Sequence, residues 1–120
     1  MGKPFVYLAG PYTKGDPCIN TYFQHQCFNK ALDDGIVNLY IPLTSHFLHT
    51  GYPRPYKDWL NYDLEILPKF DALLRLDAVV PHMDYVEDRS SGADKEIAEM
   101  HRLGKPVFYS WAALYEWATQ

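Results

Sequence analysis

The hydrophobic residues of this chain fall into short apolar runs separated by longer stretches with helical periodicity. The runs are bounded by Gly, Pro or polar residues, which is typical of buried β-strands. We predict strands at 5–9, 36–41, 71–76 and 105–109. The periodic stretches predict helices at about 16–34, 56–67, 91–103 and 111–118, with Gly35 and Gly104 following two of them. Residues 43–55 are predicted to form a loop.

This alternation predicts a single domain over residues 1–120. Strands that alternate with helices imply a parallel sheet with right-handed crossovers, and such sheets need helices on both faces. We therefore expect a three-layer α/β/α fold, with a doubly wound, flavodoxin- or Rossmann-like parallel sheet of four to five strands. If the first strand is central, a ligand binds at the carboxyl ends of the first and third strands.

Bulk properties exclude several classes of protein. The net charge of −4 argues against nucleic-acid binding. The chain contains no run of about 18 apolar residues, so we expect no membrane span. The apolar stretch at 5–10 is too short for a signal peptide. Cys18 and Cys27 fall on opposite faces of one predicted helix, so we expect reduced thiols and a cytoplasmic protein.

The segment after the first strand is a candidate binding loop. Glycine there lets backbone N–H groups approach a sugar or an anion, and the following helix N-terminus favours negative charge. The candidate residues in this loop are Gly10, Pro11, Tyr12 and Lys14. An ordinary strand-to-helix turn explains the same pattern equally well.

Asp63 is the first candidate catalytic residue. It shares the i, i+3, i+4, i+7 stripe of Leu60, Leu64 and Leu67, and a carboxyl group on a core-facing stripe loses hydration. Active sites often contain such groups. The alternative is a rotated helix that buries Trp59 and Ile66 and leaves Asp63 at the edge.

Glu96 is the second candidate. It borders the stripe of Ala93, Ile97 and Met100, near the start of a helix where Ser90 and Gly92 offer a hydroxyl and free N–H groups. Local pattern favours a simpler interpretation, because serine caps helices and acids suit their first turns. Two carboxyl groups aimed at one cleft are nevertheless what glycosidic cleavage requires.

Metal and cofactor binding have no clear motif in this sequence. The histidines form no His-x-x-x-His pair, so we expect no metal and no cofactor. His46 and His49 lie three residues apart, and we expect His46 at the mouth of a pocket.

These residues, taken in order, resemble the nucleoside 2-deoxyribosyltransferase superfamily, which includes the 2'-deoxynucleoside 5'-phosphate N-hydrolases. The resemblance covers nearly the whole chain and is closest to small bacterial domains of that superfamily. The matching segments are Val6–Gly10, Tyr40–Leu43, Asn61–Leu64 with Asp71, Ser90-x-Gly92-x-x-x-Glu96, and Gly104–Val107.

The resemblance implies a role for each candidate. Glu96 is expected to attack the anomeric carbon, Tyr7 to hydrogen-bond and orient it, and Asp63 to hold the substrate and assist proton transfer. Ser90 and Gly92 are expected to contact a sugar hydroxyl or a 5'-phosphate. The resemblance also implies a homo-oligomer, either a dimer or a tetramer.

Substrate phosphorylation stays open at this point. The hydrolases carry an arginine in the first loop, where this chain has Lys14, and the transferases place an acid where Ser90 stands. A roughly twelve-residue insertion precedes Ser90 and is long enough to cover a pocket. The expected partner is a small nucleoside or nucleoside monophosphate. The alternatives are a non-catalytic nucleotide sensor and an NAD-type glycohydrolase.

Overall fold

The protein contains a four-stranded, all-parallel β-sheet with helices on both faces. The computed structural model describes residues 2–10, 17–76 and 91–120. The strand order is β2-β1-β3-β4, so β1 is a central strand, which meets the condition stated for a ligand site at the carboxyl ends of the first and third strands. The strands are β1 (Phe5–Ala9), β2 (Asn38–Tyr40), β3 (Ala72–Arg75) and β4 (Val107–Phe108).

Five α-helices are present in the part of the chain that the structure describes. They are α1 (Pro17–Asp34), α2 (Ser45–Gly51), α3 (Tyr56–Ile66), α4 (Ser91–Arg102) and α5 (Trp111–Ala118). Two short 3-10 turns, Pro42–Thr44 and Leu67–Lys69, complete the connections. None of the helices in the described ranges has the length and apolar character needed to cross a membrane.

The central strand explains why the core divides into two layers. Successive side chains of a strand point to opposite faces, and Val6 to Ala9 are all fully buried. Val6 and Leu8 pack with residues of α1 and α5. Tyr7 and Ala9 face the other side, where α3 and α4 cover the sheet. The prediction of three layers is therefore confirmed. Tyr7, the one polar side chain among Val6 to Ala9, points towards α3 and α4.

The two glycines that were predicted to follow helices are found after the ends of α1 and α4. Gly35 and Gly104 adopt positive φ angles of 67° and 71°, which L-residues with a side chain rarely adopt. Gly35 directly follows α1, and Gly104 lies in the turn that follows α4. Because glycine tolerates this conformation, the chain leaves α1 and α4 sharply and enters the next strand.

The predicted loop at 43–55 is wrong from 43 to 51, which belong to a 3-10 turn and α2. No residue of α2 is buried, so the helix has no apolar stripe for a pattern to reveal. Local hydrogen bonds hold it, including Tyr52 N–H to the Leu48 carbonyl at 3.0 Å. Strands β2, β3 and β4 are shorter than predicted, because ladder pairing stops before the apolar runs do, whereas β1 has the predicted bounds.

Gly10 follows β1 at the point where that strand lies closest to the end of β3. A Cβ atom on Gly10 would lie 2.5 Å from the Leu76 carbonyl oxygen, which is closer than real Cβ atoms approach backbone. The Leu76 N–H also donates to the Ala9 carbonyl at 3.0 Å. The glycine is therefore required by strand packing, independently of any ligand.

Replacing Gly10 with alanine should destabilise the protein. The added methyl group must push the ends of β1 and β3 apart, which costs roughly 1–3 kcal/mol, as overpacked sites usually do. Chemical denaturation of Gly10→Ala measures the change. Gly51→Ala is the matched control, because nothing lies within 4 Å of a Cβ at that position. Equal stability of the two variants would contradict this steric account.

Candidate active site

Helix α4 carries Glu96 into the interior of the protein. Ala93 and Met100 on the same helix are 1% and 0% exposed, and Glu96, between them in the helical repeat, is 6% exposed. The local pattern favoured an ordinary first-turn acid, which would lie in solvent. The structure instead places this carboxyl group on the face of α4 that packs against the sheet.

Tyr7 supplies the hydrogen-bond donor for this buried carboxyl group. Its hydroxyl donates to Glu96 Oε2 across the interface between β1 and α4. The Tyr7 ring is fully buried and packs edge-on against Phe70, with ring centroids 5.4 Å apart. Tyr40 packs on it at 5.7 Å. Since the ring has no room to move, the direction of the hydroxyl is set by the sheet.

Asp63 reaches the same hydroxyl from α3. It is half-buried, and the nearby Tyr7 hydroxyl acts to lower the pKa of its carboxyl group. Leu60 and Leu67, on the same stripe, are 8% and 0% exposed, whereas Trp59 and Ile66 are only partly buried. The rotated-helix alternative is therefore wrong. Three elements, β1, α3 and α4, bring one phenol and two carboxyl groups together.

The two carboxyl groups titrate near neutral pH. Burial raises the pKa of Glu96 to about 8, with repulsion from Asp63 adding to the rise and the Tyr7 hydrogen bond and Arg75 opposing it. Burial raises the pKa of Asp63 to about 7 against the Tyr7 hydrogen bond. Such groups titrate as a pair, so between these values the site holds a single carboxyl proton.

Tyr7 stays protonated throughout this range. Burial is the main cause that holds its pKa well above the ordinary value, and the charges of Glu96 and Asp63 act in the same direction. A phenol has one proton to donate and also accepts through its oxygen. Tyr7 can therefore donate to one carboxylate while the other carboxyl group, when protonated, donates to it.

Arg75 is a residue of this site that the sequence analysis missed. It is the last residue of β3, it is 7% exposed, and its Nη1 lies 3.1 Å from Asp94 Oδ1 in the first turn of α4. The sequence analysis included Arg75 in the third predicted strand, 71–76, and assigned it no role. The sequence did offer one signal, which is a cationic residue near the end of a mostly apolar strand. In a parallel sheet, ligands bind at that edge.

Tyr40 borders the site from the end of β2. It is partly buried, and burial raises the pKa of its hydroxyl to about 12, with further contributions from the charges of Asp63, Tyr62 and Glu96. Tyr62 lies beside Asp63 on α3 and is 57% exposed. These two tyrosines therefore line the solvent side of the carboxyl pair.

The other predicted site residues lie on several different parts of the chain. Gly92 is buried in the first turn of α4, and Gly10 lies at the carboxyl end of β1. His46 lies on α2 with its ring edge-on to Phe47, and the two ring centroids are 5.8 Å apart. Four predicted residues lie outside the described residues: Pro11, Tyr12, Lys14 and Ser90.

The fold and the site together define a parallel α/β domain with a buried carboxyl pair near the carboxyl ends of its central strands. Among residues 2–10, 17–76 and 91–120, no group of three or more His, Cys, Asp or Glu side chains could hold a metal ion. No protein-family model matches the chain, and no curated protein is significantly similar to it in sequence. The geometry of its own residues is therefore the basis for assigning a function.

The buried carboxyl group at Glu96 should make stability depend on pH. A group whose folded pKa is raised favours the folded state below its unfolded pKa, and this contribution is lost as the pH rises to the folded value. Glu96→Gln removes the titration but keeps the shape and an acceptor for Tyr7. Its stability relative to the wild type should therefore rise by on the order of 3 kcal/mol between pH 5 and pH 8.

Urea denaturation at a series of pH values measures this difference. Glu65→Gln is the matched control, since Glu65 is an exposed acid on α3. Its stability should follow that of the wild type across the same range. If the Glu96→Gln curve also runs parallel to the wild-type curve, Glu96 does not pass from a neutral to a charged buried group.

Proposed function

We propose that this protein cleaves, or transfers at, the N-glycosidic bond of a nucleoside or nucleoside 5'-monophosphate, with Glu96 as the nucleophile. The observation that carries the proposal is the Tyr7 hydroxyl, which donates to Glu96 in the interior of the site and acts on the half-buried carboxyl group of Asp63. The resemblance of the sequence to the nucleoside 2-deoxyribosyltransferases supports the choice of a nucleoside.

The carboxyl pair suits the two halves of such a reaction. A glycosidic carbon passes through an oxocarbenium-like transition state, which a carboxylate stabilises and then captures. In the proposed first step a Glu96 oxygen bonds to the anomeric carbon while the C–N bond breaks. The bonding electrons go to the base nitrogen, and Asp63 protonates the leaving base.

In the second step Asp63, now a carboxylate, takes a proton from the incoming group. Water as that group gives hydrolysis, and the N–H of another base gives transfer. The incoming atom bonds to the anomeric carbon, and the electrons of the ester bond return to Glu96. The carboxyl pair ends with one proton, as it began, so the cycle balances without a cofactor.

Tyr7 has a positioning part in this mechanism. Its hydroxyl holds Glu96 Oε2, which leaves Oε1 of the same carboxylate as the attacking atom. Because the ring is packed between Phe70 and Tyr40, the carboxylate has little freedom to rotate. Fixing the nucleophile in this way lowers the entropy cost of reaching the transition state.

The surroundings of the pair favour a flat aromatic leaving group. Tyr40 and Tyr62 lie on its solvent side, and the rings of tyrosine stack on nucleobases. We further propose a cytoplasmic homo-oligomer, a dimer or a tetramer, on the strength of the resemblance and of Cys18 and Cys27, which form no disulfide with each other. Light scattering of the purified protein measures its size.

Release of free base is the direct test. The wild-type protein, incubated with a panel of nucleosides, nucleoside monophosphates and NAD, should release base from at least one nucleoside or monophosphate, followed by chromatography. Glu96→Gln should lower kcat by at least about 10³-fold, because it removes the nucleophile. Asp63→Asn should lower it by about 10²- to 10⁴-fold through loss of proton transfer.

Glu65→Gln on the exposed face of α3 is the control and should keep full activity. Equal release by the wild type and Glu96→Gln would overturn the assignment of the nucleophile. Binding without release from any substrate would indicate a nucleotide sensor. Release from NAD alone would indicate a glycohydrolase of dinucleotides.

The pH profile should reveal the single shared proton. Only the singly protonated pair with its proton on Asp63 has both a carboxylate to attack and an acid to protonate the base; the higher pKa of Glu96 makes this the minor form of that pair. We therefore expect kcat/KM to rise as the pair loses its first proton near pH 7 and to fall as it loses the second near pH 8.

Asp63→Asn should change the shape of this profile. The alkaline limb should disappear, since the group that must stay protonated is gone. The acid limb should move to lower pH, because Glu96 no longer titrates beside a second carboxyl group. A wild-type profile that is flat from pH 6 to pH 9 would contradict the shared-proton mechanism.

A further inference from the structure

Helix α1 has large apolar side chains on its outer side and polar side chains on its inner side. Its buried residues include Asn20, Thr21 and Gln24, which are 4%, 5% and 2% exposed. On the outer side, Tyr22 and Leu32 are 64% and 63% exposed. A surface helix normally shows the reverse, with its apolar stripe on the core and its polar face in water. The reversed pattern indicates that another surface covers the outer side of α1.

The outer residues of α1 have the spacing of a surface on which a second helix packs. Positions i, i+3, i+7 and i+10 lie within about 80° of one another around a helix. Packed helix pairs use the same spacing for the residues between them. In α1 these positions hold Tyr22, His25, Asn29 and Leu32, and Phe28, which is 36% exposed, borders them. The side-chain amide of Asn29 donates to the His25 carbonyl at 3.1 Å, so it already has a partner within the helix.

Helix α2 extends this surface. The rings of His25 and Phe47 stack, with their centroids 5.8 Å apart and their planes 12° apart. Gln24 accepts the Leu43 N–H at 3.2 Å, which holds the turn before α2 against α1. Phe47 itself is 62% exposed. We call this region the α1–α2 surface, and it is defined by Tyr22, His25, Phe28, Asn29, Leu32 and Phe47.

The sequence around the α1–α2 surface is depleted of charge. Residues 17–29 and 35–53 contain no Asp, Glu, Lys or Arg, in a chain whose residues are 22% charged. The first charged residue of α1 is Lys30, which contacts Asp34 at 2.8 Å and lies over the ring of Trp111 on α5. The centres of protein–protein interfaces are depleted of charge and enriched in aromatic residues, with charges at the rim. The α1–α2 surface has this composition.

The charge of the whole chain favours a second copy as the partner. Two copies with a net charge of −4 repel each other, and the repulsion is weakest where each presents an uncharged face. A strongly acidic or basic partner would instead require complementary charges on this surface.

The area of the surface is sufficient for a stable contact. At about 200 Å² for a whole large side chain, the exposed fractions of Tyr22, Phe28, Leu32 and Phe47 amount to roughly 400 Å². His25 and Asn29 between them add to this area. Two copies together therefore bury on the order of 1,000 Å², which is the size that a specific interface requires.

We propose that the α1–α2 surface binds the same surface of a second copy of this chain across a two-fold axis. The contact is isologous, so each residue of the surface occurs twice in it. A tetramer is then a pair of such dimers. This inference rests on the homo-oligomeric state proposed above, to which it assigns an interface, and it does not depend on the reaction assigned to Glu96.

Sedimentation velocity of the purified protein tests the interface. Leu32→Glu and Phe47→Glu each place a charge on the α1–α2 surface, where association would remove its hydration without providing a partner. Because each charge occurs twice, either variant should raise the dissociation constant about 10²- to 10³-fold. Its mass should therefore be half that of the wild type. Both side chains are more than half exposed, so circular dichroism should show a native fold.

Tyr109→Glu is the matched control. Tyr109 is also a large exposed side chain, 61% exposed, and it follows β4 at the edge of the sheet opposite β2. The substitution adds the same charge at another place and should leave the mass unchanged. If Tyr109→Glu also halves the mass, added charge alone separates the copies and the inference is overturned.

The salt dependence of association provides a second measurement. No ion pair holds the proposed contact, and salt screens the repulsion between two negative copies. Raising the salt concentration about tenfold should therefore leave the dissociation constant of the wild type unchanged or lower it. A dissociation constant that rises tenfold or more would show that charges hold the copies together, which overturns the inference.

The outcomes also separate the interface from the proposed function. If either Leu32→Glu or Phe47→Glu keeps the wild-type mass, another surface joins the copies, and the homo-oligomer stands without this interface. A wild type that is monomeric at about 100 μM, where a specific interface should be occupied, overturns both the interface and the homo-oligomer. Absence of base release refutes the reaction assigned to Glu96 and leaves the interface standing.

Discussion

The hydrogen bond from the Tyr7 hydroxyl to Glu96 is the interaction on which the rest of the site depends. It links the central strand of the sheet to the face of α4 that lies on it. A carboxyl group in this position has lost its hydration, and an unpaired buried polar group costs several kcal/mol. The neighbouring groups offset this cost. They are a phenol that stays protonated, a second carboxyl group that shares a proton, and a buried arginine.

The sheet supports this arrangement because its two faces differ in chemistry. The face covered by α1 and α5 holds aliphatic residues of β1, such as Val6 and Leu8, and gives the strand a rigid apolar backing. The other face presents Tyr7, and its neighbouring strand presents Arg75. Polar groups placed on a rigid strand keep their directions, which a loop would not ensure. The loss of folding stability from burying polar groups is therefore confined to the layer between the sheet and helices α3 and α4.

The sequence predicted the fold well because β1 and the helices around it follow strong periodic patterns. It predicted less of the site, since the local pattern around Glu96 describes equally well an acid in solvent. Only tertiary packing, which turns that side of α4 onto Tyr7, distinguishes the two. Helix α2 was missed because it buries no residue, and Arg75 was missed because a polar residue at a strand end usually faces water. Asp63 was predicted correctly as part of a core-facing stripe, because Leu60 and Leu67 repeat at the helical period.

Asp94 and Glu96 show why the local pattern stops short of the site. Both acids lie near the start of α4, where the helix dipole favours negative charge, so helix propensity treats them alike. Two residues apart on a helix, however, they point about 200° apart. One is therefore half-exposed at the rim and the other is buried against β1. Arg75 contacts Asp94, whereas Glu96 accepts the Tyr7 hydrogen bond and has a pKa raised by burial. The surroundings of each acid therefore depend on which side of α4 the sheet covers.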